Sequence, residues 1–473
     1  MTYFAMGIDY STGDRLVPPM SDDDFVQRIQ EGLTRNMQEM AAQDRVATRG
    51  ATFKKEIEMA PDIDVRDPRS AGWTFLVNEE DPLRREFIDV LRPLALHRGM
   101  ASPETPLLFH SEDDWFEWLL DNYTPLDVSS VPHYVLVVGN PDQVPFHFQA
   151  LLDVGASVGR VDLSPDDLEA YVQKIIRVET ADQPTAEKLS VFFAPDYGVS
   201  ADGMRDPTYY SRQYMAEPLA DYVRTSLGFQ TEEAMADEAT KDHFVEMLNG
   251  RNPALLYTAS HGMGASGAEL NVAMRVNGAI CCQRTGREKA QEDWLFMADD
   301  IRSDEPFLEG GVFFQFACFG YGTPAQSDFM HWLGQPELNA DADFVAMLPR
   351  KLLAHPRGPI AFIGHVDTAW LHGFDDPEHP ESLEPWNIRI APFLQAVRKV
   401  LGVEPVGRAM SDMNDRYSSS NSILTTTWNR LKQGKIVTTT EFWDKLAAAF
   451  ITRTDAQNYM VFGDPGAHVR IAD

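Results

Sequence analysis

The sequence predicts an α/β protein, a three-layer sandwich built on a mostly parallel sheet. Three observations carry that reading. Short apolar runs recur from about residue 110 onward: HYVLVVG (133–139), LSVFFAP (189–195), ALLYTAS (254–260), GVFFQFA (311–317) and PIAFIG (359–364). Helical patterns lie between them. The runs are apolar on both faces rather than alternating, which is the mark of strands covered on both sides and joined by crossover helices. With 473 residues, 44% of them hydrophobic, the chain has material for two or three domains and a sizeable core.

In chain order, residues 1–105 read as a helical, polar region. SDDDFVQRIQEGLTRNMQEMAAQ sets Phe25, Ile29 and Leu33 at helical spacing behind the N-cap candidate Ser21. Residues 106–185 form a first α/β subdomain, and its helix SPDDLEAYVQKIIRV has Ser164 as cap, Pro165 in the first turn and acids at the positive helix end. Residues 186–473 form a second, larger α/β subdomain with C-terminal helices. RQYMAEPLADYVRTSL and DADFVAMLPRKLLAH are its helix candidates.

The 72 Asp and Glu against 41 Lys and Arg give a net charge of −31, which repels nucleic acid and anionic membrane and favours basic partners. The first residues lack a basic stretch followed by an apolar core, and no run of about 18 apolar residues occurs, so a cytoplasmic protein without a membrane partner is expected. Cys281, Cys282 and Cys318 form neither an even set nor a C-x-x-C pattern. That indicates no disulfide framework and no thiolate metal site, and any working cysteine is a free thiol.

The stretch LLYTASHGMGASG (255–267) carries two competing readings. Gly262-x-Gly264-x-x-Gly267 has the spacing of a dinucleotide turn, which requires a helix to open directly after it. The following Leu270, Val272, Met274 and Val276 alternate with Asn271, Ala273 and Arg275 ahead of Asn277-Gly278, and this predicts a strand and turn instead, so no cofactor is expected. The other reading takes His261 as a catalytic base at a strand end. Its partner is then Cys318, which follows the apolar run GVFFQFA and precedes glycine. A thiol beside an imidazole can act as a nucleophile, and backbone N–H groups of Gly262 and Cys318 can form an oxyanion hole.

An apolar strand ending in His-Gly and a later one ending in Ala-Cys resemble the signature of the caspase-like cysteine peptidases, which include caspases, metacaspases, legumain, separase and the gingipains. The gingipain branch is the most similar. VPHYVLVVGNPDQVPF, VGRVDLSPDDLEAYVQKIIRVE, GPIAFIGHVDTAW and NYMVFGDPGAHV resemble its successive elements, so the resemblance spans roughly residues 110–473. It implies a caspase-like fold and a cysteine endopeptidase with protein or peptide substrates, His261 as base, Cys318 as nucleophile, and the N–H groups of Gly262 and Cys318 as oxyanion hole. Asp196, Asp367 and Trp370 fall where that family builds its primary specificity pocket, which implies cleavage after Arg, with Lys weaker. Arg284, Arg287 and Lys289, clustered between the two dyad strands, suggest a processing loop cut by an activating protease or governed by a regulator, as in a zymogen. A catalytically silent interaction module of the same fold is the alternative.

Overall fold

The computed structural model describes all residues except 1, 4, 112–113, 124–130, 200–202, 266, 330–338, 372–389 and 473, and leaves out the side chains of residues 2–3, 22 and 33–39. Leu33, expected on the buried helical face, falls among the latter, whereas Phe25 and Ile29 are buried.

In chain order the elements that position the site are β1 (Gly7–Asp9), α1 (Asp22–Met59), β2 (Trp73–Asn78), α2 (Arg84–His97), β3 (Leu107–Phe109), β4 (Tyr134–Val138), α3 (Phe146–Gly155), β5 (Ser157–Val161), α4 (Pro165–Thr180), β6 (Glu187–Ala194), α5 (Glu217–Thr225), β7 (Gln230–Met235), β8 (Pro253–Ala259), β9 (Gly262–Gly264), α6 (Leu270–Val276), β10 (Ile280–Cys281), β11 (Leu295–Phe296), β12 (Val312–Phe316), α7 (Met347–Ala354), β13 (Ala361–His365), α8 (Ala391–Leu401), α9 (Ser411–Lys432), α10 (Thr440–Gln457) and β14 (Tyr459–Gly463). All five apolar runs are strands of one ten-stranded sheet, ordered β3-β2-β4-β5-β14-β13-β12-β8-β6-β7. Every neighbouring pair is parallel except β13 and β14. The sheet is therefore two parallel halves running in opposite directions, joined at that single antiparallel seam.

Alternate residues of one strand feed opposite layers. Phe75 and Val77 of β2 pack in the cluster that holds Phe87 and Leu91 of α2, while Leu76 joins Val46 and Phe53 of α1. Leu136 and Val138 of β4 likewise take one side and Val135 and Val137 the other. This period of two with apolar residues on both faces is why the runs looked continuously hydrophobic. Burying such a side chain contributes about 1.5–3 kcal/mol, so the three-layer arrangement follows from the composition of the strands.

The capping expectations hold: the Ser21 side chain accepts from the Asp24 N–H at the start of α1, and Ser164 from the Asp167 N–H at the start of α4. Three expectations are revised. Residues 1–105 are not helical throughout: 22–59 are, but 73–78 form a strand inside the main sheet, between β3 and β4. Residues 270–276, read as a strand, are helix α6, with Ala273 and Val276 buried one turn apart. The helix expected over 341–355 begins only at Met347, because Phe344 and Val345 pair with Thr323 and Gly322.

A second sheet of four strands, β11-β10-β9-β1, stands beside the carboxyl ends of the second half. Gly262 and Gly264 lie within β9 and make extended backbone, Gly267 stands in a turn with φ 71°, and α6 follows only after Glu269.

Candidate active site

Strands β8 and β12 are adjacent and parallel, with Ala259 opposite Phe316. His261 and Cys318 each come two residues after that matched pair, so the sheet delivers both to the same edge. The turn bearing Cys318 is tight. Phe319 adopts φ 57°, its N–H donates to the Asp367 carbonyl at 2.8 Å, and the Gly320 N–H donates to Ala317 at 3.3 Å. Asp367 itself has φ 75°. Two non-glycine residues in the left-handed region beside one thiol are backbone strain concentrated at a site.

The His261 and Cys318 side chains are both buried. The Cys318 Sγ accepts from the Ala369 N–H at 3.1 Å. Burial pushes the thiol well above its ordinary range, the Asp367 and Asp455 charges push it the same way, and the N–H groups of Ala369 and Met6 pull it down. His261 Nε2 is 2.8 Å from Asp206 Oδ1, and its Nδ1 has no hydrogen-bond partner among the described residues. Asp206 caps the turn that follows it: Thr208 donates to the same carboxylate through its N–H at 3.0 Å and its hydroxyl at 2.6 Å. Burial raises the Asp206 pKa, but the His261 charge and these donors outweigh it and hold the carboxyl well below the usual carboxylate range. Asp206 was not singled out in the sequence. Its one local signal is Asp-Pro-Thr at a helix start, which marks a cap and not a partner for a histidine 55 residues away.

Gly262 presses against the Cys318 backbone, but its N–H donates to the Met6 carbonyl at 3.0 Å.

Each residue expected in the specificity pocket has partners of its own. The Asp196 carboxylate accepts from the Gly198 N–H at 2.9 Å and pairs with Arg212 at 3.2 Å. Asp367 accepts from the Ser327 hydroxyl at 2.9 Å and from the N–H groups of Asp328 and Thr368 at 2.8 and 2.7 Å. Burial and the Asp328 charge push its pKa up to about 7. Trp370 is buried against Phe25 and Phe329, ring centroids 6.1 and 5.4 Å away, so its ring is already in contact with other aromatics. Arg284, Arg287 and Lys289 are exposed in the loop after β10, with the Arg284 guanidinium 4.0 Å from the Trp294 ring centre.

No family model and no curated protein matches the chain. A solved structure described as "Structure of Protease" is similar to it with a TM-score of 0.46 and 12% identity, over 85% of this chain and 79% of that one. No helix among the described residues is long and apolar enough to cross a membrane.

Proposed function

We propose that the chain is a cysteine endopeptidase. The observation that carries this reading is the register: His261 and Cys318 sit two residues past the paired Ala259 and Phe316, at the carboxyl ends of neighbouring parallel strands, with Asp206 bonded to the imidazole. In the first step the Cys318 thiol gives its proton to His261 as the sulfur adds to a peptide carbonyl, and the bond to the leaving amine breaks as His261 passes that proton to the amine; water then gives a proton to His261 as its oxygen takes the acyl group, and the thiol leaves with that proton. Asp206 fixes the ring orientation. The N–H groups of Gly262 and Cys318 are the donors for the oxyanion.

Cleavage after Arg, with Lys weaker, belongs to the same proposal. Asp367 supports it more than Asp196 does: among the described residues the donors to its carboxylate are neutral, whereas Asp196 already holds Arg212. A buried carboxylate lacking a counter-charge gains most from an incoming guanidinium. The exposed Arg284, Arg287 and Lys289 suit a processing loop. Mass spectrometry of fully active enzyme with that loop intact would exclude processing there.

The partners in this reading are protein or peptide substrates; a net charge of −31 disfavours nucleic acid. A silent interaction module of the same fold is the second reading, favoured by one observation, the burial of Cys318. Incubating an unbiased peptide library with the wild type, Cys318→Ala and His261→Ala decides between them. Hydrolysis lost in both variants is expected; hydrolysis independent of both, or absent from the wild type after any blocking segment is removed, overturns the peptidase reading.

A further inference from the structure

The backbone around the dyad is already occupied by the chain's own first residues. Ala5 makes an antiparallel bridge to Trp370, the Met6 N–H donates to the Ala369 carbonyl at 2.8 Å, and the Met6 carbonyl accepts from the Gly262 N–H at 3.0 Å. From Gly7 the segment continues as β1, in parallel register with β9: Gly7 opposite Gly262, Ile8 opposite Met263, Asp9 opposite Gly264. A Cβ built on Gly7 would stand 3.5 Å from the Cys318 Sγ. The Met6–Gly7 peptide bond therefore lies beside the thiol, with its carbonyl oxygen on a donor assigned to the oxyanion hole. Leu16 closes the far side, its N–H donating to Gly7 at 2.9 Å and its side chain 3.2 Å from the Gly7 Cβ position. Met6 is fully buried.

We propose that residues 5–9 are a tethered pseudosubstrate, filling the peptide groove between Gly262–Gly264 and Ala369–Trp370, with Met6 in the place of the residue before the scissile bond. Other peptides reach Cys318 only when this segment withdraws. Calling the groove a substrate groove rests on the peptidase reading above; the occlusion of the thiol does not. The contacts on both sides of Met6 are main-chain bonds, the way an extended peptide adds to an exposed strand edge whatever its side chains. Met6 offers a long unbranched side chain without a cation, so it fills the position without the charge that a preferred substrate would bring. A tether of this length gives the segment a local concentration of about millimolar or more, enough to exclude peptides that bind the groove only weakly.

The test cuts the tether after folding. Ser11 and Thr12 are exposed in the turn between β1 and Leu16, and the full chain is made with a site for a specific protease inserted there. Cys318 alkylation by iodoacetamide is followed by peptide mapping before and after the cut. The expected result is slow labelling before, labelling faster by about 100-fold after cutting and dilution, and renewed protection by a synthetic peptide of residues 2–12 at millimolar concentration. Unchanged labelling after the cut overturns the proposal. Met6→Asp in the uncut chain is a second route to the same readout, and labelling as slow as in wild type again overturns it. Peptide hydrolysis by the cut sample separates the two ideas. Faster labelling with no hydrolysis removes the peptidase reading and keeps the occlusion; Cys318-dependent hydrolysis with unchanged labelling does the reverse.

Discussion

Gly262 and Cys318 touch backbone to backbone: a Cβ added to Gly262 would lie 1.8 Å from the Cys318 carbonyl oxygen and 2.6 Å from its backbone nitrogen and carbonyl carbon. The strand after His261 can run this close to the turn bearing the thiol only because residue 262 lacks a side chain. Here the neighbour is main chain held in a strained turn, so it cannot swing aside as a flexible side chain would. Gly262→Ala is expected to cost on the order of 3 kcal/mol, read as a lower urea midpoint at unchanged slope. An alanine variant as stable as wild type would mean that the two loops move apart freely.

Asp206 is expected to contribute to stability and to any activity through its carboxylate, which bonds His261 at 2.8 Å and accepts from Thr208 at 3.0 and 2.6 Å. Asp206→Asn should cost about 1.5–3 kcal/mol at neutral pH, the range for a hydrogen bond to a charged group. Because the folded-state pKa is depressed, the carboxylate's contribution is fully present above the unfolded value of about 3.9 and is lost as pH falls through the folded one. The stability gap between wild type and Asp206→Asn should therefore narrow only below about pH 4, as followed by urea unfolding across pH. A gap that closes between about pH 6 and 7 instead would assign the effect to another group.

Asp367 has the opposite sign. Its folded pKa, raised to about 7 by burial and Asp328, exceeds the unfolded value of about 3.9, so between those values the folded protein keeps a proton that the unfolded chain has released. Stability from this group then falls as pH rises across that window, by an amount on the order of 2–4 kcal/mol. Asp367→Asn cannot ionise and should flatten the slope. Parallel pH dependence in the two proteins would show that Asp328, or another neighbour, carries the titration.

Much of this architecture was legible because strands covered on both sides must be apolar at every position, and VFFQF or ALLYTA leave no other reading. The strand Trp73–Asn78 is equally apolar but sits between a long polar helix and α2, where the surrounding texture hid it. Residues 270–276 were ambiguous for a physical reason: Leu-x-Val-x-Met-x-Val satisfies a period of two, while burial of Ala273 and Val276 satisfies a helix, and only tertiary packing decides in so short a segment. His261 and Cys318 could be read from the ends of their strands. Asp206 could not, since its partnership with His261 depends on how a loop folds back. Residues 5–9 left even less trace, because they are held over Cys318 largely by backbone bonds, which any sequence can make.

Specificity is where the two candidate carboxylates can be told apart. Asp196 is expected to contribute little, because Arg212 already occupies it at 3.2 Å and Asp196→Ala leaves that arginine beside Glu217. Asp367 has neutral donors around it and sits two residues before Ala369, whose carbonyl holds the backbone of Met6. If the residue before the scissile bond takes the place of Met6 and its guanidinium reaches Asp367, a charged bidentate pair is worth more than a single ammonium contact. With the tether cut, fluorogenic peptides ending in Arg should be cleaved about 10-fold better than those ending in Lys, and Asp367→Asn should lower kcat/KM for Arg by about 100-fold while Asp196→Ala changes it little. Preference for Asp before the cut, or Arg cleavage untouched by either substitution, would place the pocket elsewhere. Preference for Met or norleucine would mean that the tethered segment already displays the specificity of the site.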